Sequence, residues 1–188
     1  MGISSDKAWQ ILNTAEQICS AALVSETVRR LAREITARLE HSNPLVLSIM
    51  RGSVMFAGQL LPQLEFPLEF DYLDVTRYGA ATSGGAITWK VSPGTAVAGR
   101  VVLVLDDILD EGHTLVAIRD KLLSAGARQV CSAVFAEKET GRAKPAAADF
   151  VGVRLPNRYV FGFGMDVMGA WRNLPAIYAL KDGAGMKE

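Results

Sequence analysis

The chain has 188 residues, the size of one domain, enough to bury roughly 70% of its unfolded surface without a disulfide or metal staple. Hydrophobic residues make up 49% and charged residues 21%, which excludes a disordered chain or a coiled coil. Twenty Lys and Arg balance twenty Asp and Glu, so the net charge is zero and neither a nucleic-acid partner nor a polyacidic character is expected.

The two cysteines, Cys19 and Cys131, lie among apolar neighbours and form no C-x-x-C pair. That pattern fits packed thiols in a reducing compartment, not a disulfide framework or a cysteine-ligated zinc. With only His41 and His113, a three-histidine metal site is impossible. Met1–Gln10 carries Asp6, Lys7 and Gln10 and no apolar run, unlike a secretory signal. No stretch approaches the roughly 20 apolar residues that span a bilayer. The expectation is a soluble, cytoplasmic protein with no membrane partner.

In chain order, residues 5–20 and 25–40 are predicted as two amphipathic helices within an N-terminal segment, 1–41. Leu23 and Val24 separate them, and Ser25 is the expected N-cap of the second. There Arg29, Arg30, Arg33, Glu34 and Arg38 fall away from Val28, Leu31 and Ile35, a solvated face over a core stripe. Residues 45–50 read as a buried strand, 54–64 as a helix stopped near Pro62, and 66–78 as a long alternating strand. The small, polar run 79–86 buries little and is expected to be mobile, with a returning strand near 86–91.

Val101-Val102-Leu103-Val104-Leu105 has the branched apolar character of a central parallel strand. A helix through Leu115, Ile118, Leu122 and Leu123 ends at Gly126, and strands follow over 128–136, 150–153, 159–163 and 176–180. Strand–helix–strand repetition predicts an α/β fold with a parallel sheet, as a single domain over 1–188.

Ligands of an open parallel sheet bind beyond the carboxyl ends of its strands. Those ends read Met50-Arg51-Gly52-Ser53, Asp106 to Thr114, Glu137-Lys138, and Phe163-Gly164-Met165-Asp166. Charge placed there is costly unless something satisfies it. In the second of them, Asp106, Asp107 and Asp110 precede Gly112 and a helix start. Backbone N–H groups at such a start cradle an anion, and acids beside it accept bonds from sugar hydroxyls or hold a hydrated Mg²⁺. A phosphorylated sugar site answers this description.

Val101 to Thr114 resembles the phosphoribosyl pyrophosphate signature of the type I phosphoribosyltransferases: four hydrophobics, two acids, two hydrophobics, then Asp-Thr/Ser-Gly-x-Thr. Within that superfamily the chain is most similar to the hypoxanthine-guanine phosphoribosyltransferases. Phe70-Asp71-Tyr72-Leu73, Arg77-Tyr78, Lys138, Asp149-Phe150-Val151-Gly152, Pro156 and Tyr159-Val160-Phe161-Gly162-Phe163-Gly164-Met165-Asp166 carry the resemblance from about Leu45 to Leu180. It implies a Rossmann-like parallel sheet with a small hood and a flexible lid loop over residues 77–90. It also implies a Mg²⁺-dependent purine-salvage enzyme that joins hypoxanthine or guanine to phosphoribosyl pyrophosphate.

The resemblance implies these roles. Asp106 and Asp107 hold the ribose hydroxyls, and Asp110 is the general base at the purine N7. The backbone of Asp110, Glu111, Gly112, His113 and Thr114, with the Thr114 hydroxyl, cradles the 5′-phosphate. Arg51 and Gly52 belong to a pyrophosphate loop in which the family carries a cis peptide, and Arg172 is a second pyrophosphate contact. Lys138 donates to the 6-oxo group, which excludes adenine, because an ammonium accepts nothing from an amino group. Tyr159 stacks on the base, and the carbonyls of Val160 and Asp166 meet its edge. Asp166, with Asp106 and Asp107, is a Mg²⁺ ligand, and Arg77 and Tyr78 are the lid contacts. The family also forms homodimers and homotetramers.

Two positions depart from the signature. Glu111 stands where the family has Thr or Ser, and His113 where it often has Lys or Arg. A carboxylate facing phosphate repels it unless it turns outward or meets a cation. Two other functions compete: a nucleotide-sensing RNA-binding regulator, with the Arg29–Arg38 helix as its only basic face, and the same chemistry on xanthine.

Overall fold

A computed structural model of the chain describes residues 3–77 and 87–181. Helix α1 spans Ser5–Thr14, strand β1 Glu16–Cys19, helix α2 Ala21–Leu39 and strand β2 Leu45–Met50. Helix α3, Val54–Leu60, runs into one 3-10 turn at Leu61–Gln63, where Pro62 stands. Then come β3 (Glu69–Arg77), β4 (Ile87–Val91), β5 (Val101–Leu109), α4 (His113–Ser124), β6 (Gln129–Glu139) and β7 (Phe150–Pro156). The short strands β8, Val160–Phe161, and β9, Ile177–Ala179, complete the described elements.

The main sheet has the order β4-β3-β2-β5-β6-β7, with β4 antiparallel to β3 and every other pair parallel. Both faces of its centre are covered. Val101, Leu103 and Leu105 pack on the side of α2 and α3. Val102 and Val104 pack with Leu115, Ile118 and Leu122 of α4. Opposite faces for alternate residues, both buried, explain why the β5 sequence is apolar without a break. A second, three-stranded sheet in the order β1-β9-β8 forms the hood.

The N-terminal segment differs from its predicted pair of helices. Residues 16–19 leave the helix and pair antiparallel with 177–179. A partner so distant in sequence leaves no local pattern, and Glu-Gln-Ile-Cys continues a helical period equally well. The expected cap moves accordingly. Ser20, not Ser25, begins α2, its hydroxyl accepting the Leu23 N–H at 3.2 Å. Ser25 is inside the helix and donates to the Ala21 carbonyl at 3.1 Å.

The amphipathic reading of α2 is correct in its core face, with Val24, Val28, Leu31, Ile35 and Leu39 buried. Its basic face is partly engaged. Arg30 donates to the Val151 and Gly152 carbonyls, and Arg38 pairs with Asp149 at 2.9 Å and stands over the Phe150 ring. These contacts lock α2 onto β7. The parallel order then brings the carboxyl ends of β2, β5 and β6 to one edge. Arg77 closes β3, while Tyr78 and the rest of 78–86 lie outside the described residues, and 87–90, expected as part of the lid, belong to β4.

The two serines separate the competing caps of α2. Ser20→Ala is expected to cost about 1 kcal/mol in urea unfolding, the usual loss on removing an N-cap side chain. Ser25→Ala is expected to stay within about 0.5 kcal/mol of wild type, as for an ordinary surface substitution.

Candidate active site

Strand β5 runs on past its apolar residues to Leu109, so Asp106 and Asp107 are strand residues, not part of a turn. Asp106 is opposite Val134 and Leu109 opposite Glu137 on β6, which keeps both acids inside the ladder. Their side chains fold back on the strand: Asp106 Oδ1 accepts the Asp107 N–H and Asp107 Oδ1 the Ile108 N–H, each at 3.0 Å. Both carboxyls are pushed above the ordinary carboxylate range, mainly by burial. The charge of Asp107 adds to the rise at Asp106, whereas the Arg172 guanidinium works against it at Asp107.

Asp106 opens onto a cavity of about 230 Å³ lined also by Asp110, Glu111, Gly112, His113 and Thr114. Gly112, at φ 87°, is the N-cap of α4, and its left-handed backbone turns the chain from strand end into helix without a Cβ clash. The first-turn N–H groups of α4 have no intrahelical carbonyl to bond and lie beside this cavity, where the helix dipole is positive. That arrangement suits an anion. Gly112 is buried, whereas Glu111 and His113 are exposed at the rim.

Asp110 and Lys138 stand at the ends of neighbouring strands and form an ion pair, with Lys138 Nζ 2.6 Å from Asp110 Oδ2. The lysine side chain is 14% exposed and the carboxylate 47%, so the acid faces outward while the ammonium is anchored beneath it. Glu137 pairs with Lys144 at 3.2 Å.

The hood supplies the far side. Tyr159 is exposed, and its hydroxyl donates to the Asp166 carbonyl at 3.1 Å. Burial of the phenol, and then the Asp166 charge, raise its pKa. Val160 is buried in β8 opposite Ala179. The two Asp166 carboxylate oxygens meet the Arg172 guanidinium and the Gly169 N–H. Arg172 also donates to the Gly164 carbonyl at 2.6 Å. Below it, the peptide between Met50 and Arg51 is cis, and Arg51 is exposed. A Cβ on Gly52 would stand 2.2 Å from Asp107 Oδ2, and one on Gly164 2.0 Å from the Gly52 carbonyl oxygen. Only glycine at both positions lets the β2 turn, the end of β5 and the hood loop meet.

The geometry thus gathers three groups: Asp106 with the Gly112–Thr114 cradle, Asp110 with Lys138, and Asp107 with Gly52, Gly164, Arg172 and Asp166. Among the described residues no three of His, Cys, Asp and Glu converge to hold a metal ion. Sequence reading missed three polar residues at this edge. Ser48 and Ser53 are fully buried, with their hydroxyls 2.6 Å apart, and Ser53 donates to the Ile49 carbonyl, bracing the turn that carries Arg51 and Gly52. The lone serine in Leu-Val-Leu-Ser-Ile-Met was the available signal. Lys144 left none.

A family model for the phosphoribosyl transferase domain matches residues 14–167. The chain belongs to the phosphoribosyltransferase family. It is 36% identical over 159 residues to a hypoxanthine-guanine phosphoribosyltransferase of Lactococcus lactis, covering 84% of this chain and 86% of that protein. It is 38% identical to a bifunctional TilS/HprT protein of Listeria innocua, of which it spans only 24%. In structure it is similar to a hypoxanthine phosphoribosyltransferase of Staphylococcus aureus, with a TM-score of 0.86 and 27% identity over 92% of this chain and 95% of that one. No helix among the described residues is long and apolar enough to cross a membrane.

A hard cation such as Mg²⁺ takes one or two carboxylates and fills its remaining positions with water and substrate phosphate oxygens. The Asp106–Asp107 pair of this phosphoribosyltransferase fits that demand, because two adjacent, half-buried carboxyls held above their ordinary range gain from a cation. The same charge sets a stability test. A carboxyl whose folded pKa is raised stabilises the fold fully below its unfolded value of about 3.9, and that stability is lost as pH rises through the folded value. In Asp106→Asn the loss from this group is absent. Without ligand, D106N is expected to melt above wild type at pH 8, with the gap closing toward pH 4. Mg²⁺ should narrow the gap at pH 8 by stabilising wild type. Equal melting curves at pH 8 would count against an ionised, uncompensated Asp106.

Proposed function

We propose that this phosphoribosyltransferase transfers the phosphoribosyl group of phosphoribosyl pyrophosphate to hypoxanthine or guanine, giving the nucleoside monophosphate and pyrophosphate. The observation that carries the reading is the Lys138–Asp110 pair beside the α4 cradle. An ammonium donor and a carboxylate acceptor, side by side, match the two adjacent edges of a 6-oxopurine: the 6-oxo oxygen, which accepts, and the N7 hydrogen, which the reaction must remove. When the base arrives, Lys138 turns its donor to the oxo group and Asp110 accepts the proton. The cradle binds the 5′-phosphate, with Thr114 adding a hydroxyl. Asp106 and Asp107 hold the ribose hydroxyls and would hold Mg²⁺, which supplies charge neutralisation at the leaving pyrophosphate. Arg51, Gly52 and Arg172 take the pyrophosphate, and Tyr159 covers the base. The carbonyls of Val160 and Asp166 meet the base's edge, the Asp166 oxygen having a second lone pair beside the Tyr159 bond. Arg77 and Tyr78 close from the lid.

Xanthine differs only at the 2-position, away from Lys138, and shares this reading. The RNA-binding alternative loses support, because Arg30 and Arg38 of its only basic face bond within the fold. Self-association, as dimer or tetramer, belongs to the same proposal. Exposed Phe70 and Tyr72 on β3 support it, and a single monomeric species in sedimentation velocity would count against it.

The deciding assay is pyrophosphate release from phosphoribosyl pyrophosphate and Mg²⁺, with hypoxanthine, guanine, xanthine, adenine and uracil tested separately. Turnover is expected with the 6-oxopurines and not with adenine. Asp110→Asn is expected to lower kcat about 10²- to 10⁴-fold, the usual contribution of a general base, with the KM for phosphoribosyl pyrophosphate little changed. Unaltered turnover in D110N would overturn the base assignment.

A further inference from the structure

Lys144 is in the connection between β6 and β7, and its side chain is only 11% exposed. Its ammonium donates to the Leu109 carbonyl at 3.1 Å, to the Lys138 carbonyl at 2.7 Å and to Glu137 Oε1 at 3.2 Å. An ammonium has three hydrogens, and these three acceptors use them all. The acceptors are not scattered. Leu109 and Glu137 are the last paired residues of the β5–β6 ladder. Beyond them the two strands have no further rung, yet the next residue on each is a member of the proposed base-binding pair: Asp110 after Leu109, Lys138 after Glu137.

We propose that Lys144 is a positioning residue for that pair. Its ammonium replaces the missing rung, tying the backbone before Asp110 to the backbone of Lys138 and so setting the separation of the two side chains. Glu137 holds the ammonium in place and balances its charge. An unbraced strand end frays, and a small displacement of groups that must meet two adjacent atoms of one ligand is costly in rate. Lys144 does not itself line the cavity under Asp106, although its acceptor Leu109 does and its Cβ lies close to Gly112; its three acceptors flank Asp110 and Lys138, so its main effect falls on the purine side of the site.

This inference rests on the functional reading above for its kinetic arm only. Lys144→Met removes the donors and keeps the length. It is expected to raise KM for hypoxanthine or guanine about tenfold, the loss of one hydrogen bond to a charged group, with KM for phosphoribosyl pyrophosphate within about twofold of wild type. Lys144→Arg, which keeps donors and charge, should recover most of the loss. The structural arm is a crystal structure of K144M, expected to show Lys138 and Asp110 out of hydrogen-bond contact and the Asp106–Asp107 strand end unchanged. An intact Lys138–Asp110 pair in K144M overturns the proposal, as does a fall in melting temperature with both KM values unmoved or moved together. Should K144M not fold, Lys144→Gln, which retains a neutral donor, is expected to show the same one-sided KM change in smaller degree, and its absence overturns the proposal. If wild type turns over no purine, the functional reading fails while the crystal structure still decides the role of Lys144.

Discussion

Two adjacent carboxyl groups, Asp106 and Asp107, stand near the carboxyl end of a central strand covered on both faces, and the surrounding elements are arranged around that charge. Burial lifts both carboxyls, and each then meets a different neighbour. Asp106 faces a cavity floored by the start of α4, where helix-dipole charge is positive. Asp107 faces the Gly52 turn and feels Arg172 of the hood loop. An apolar replacement would pack more cheaply in the same ladder. A half-buried acid pair at a sheet's carboxyl edge is intelligible as a site whose balancing charge arrives with ligand.

Three other acids of this edge have cations of their own: Asp110 has Lys138, Glu137 has Lys144, and Asp166 has Arg172. Three acids are therefore matched within the protein, and the attraction for an incoming cation concentrates at Asp106 and Asp107. In the proposed function, the Asp110–Lys138 match is the one that the purine opens. Its members offer the donor and acceptor a purine edge needs, so the pair exchanges one partner for another and neither group is left bare.

The hood depends on contacts far from any charge. Trp171, at φ 71°, donates its indole N–H to the Ala8 carbonyl at 2.8 Å and meets Trp9 edge-on at 5.0 Å. Helix α1, which holds no site residue, thereby fixes the residue next to Arg172. On the other side Phe163 packs on Phe135 of β6 at 4.4 Å, and Phe135 on Phe56 of α3 at 5.8 Å. An aromatic column thus joins the hood loop to the sheet and to the helix behind the Arg51–Gly52 turn.

By itself the sequence determined the succession along the chain of the strands and helices that build the main sheet, because their periods are local and Val101–Leu105 is legible as doubly buried. It also determined the chemistry of the strand ends, since Asp106, Asp107, Asp110, Lys138 and Asp166 resemble one family's motifs in order. Only the tertiary structure decided that residues 16–19 are a strand, because their ladder partner comes from 177–179, and that Ser20 rather than Ser25 begins the next helix. It decided too which acid meets which cation. Lys144 shows the reason most plainly: a lysine in a connection carries no period and no motif, and its role exists only where two strand ends, distant in sequence, come within reach of one ammonium.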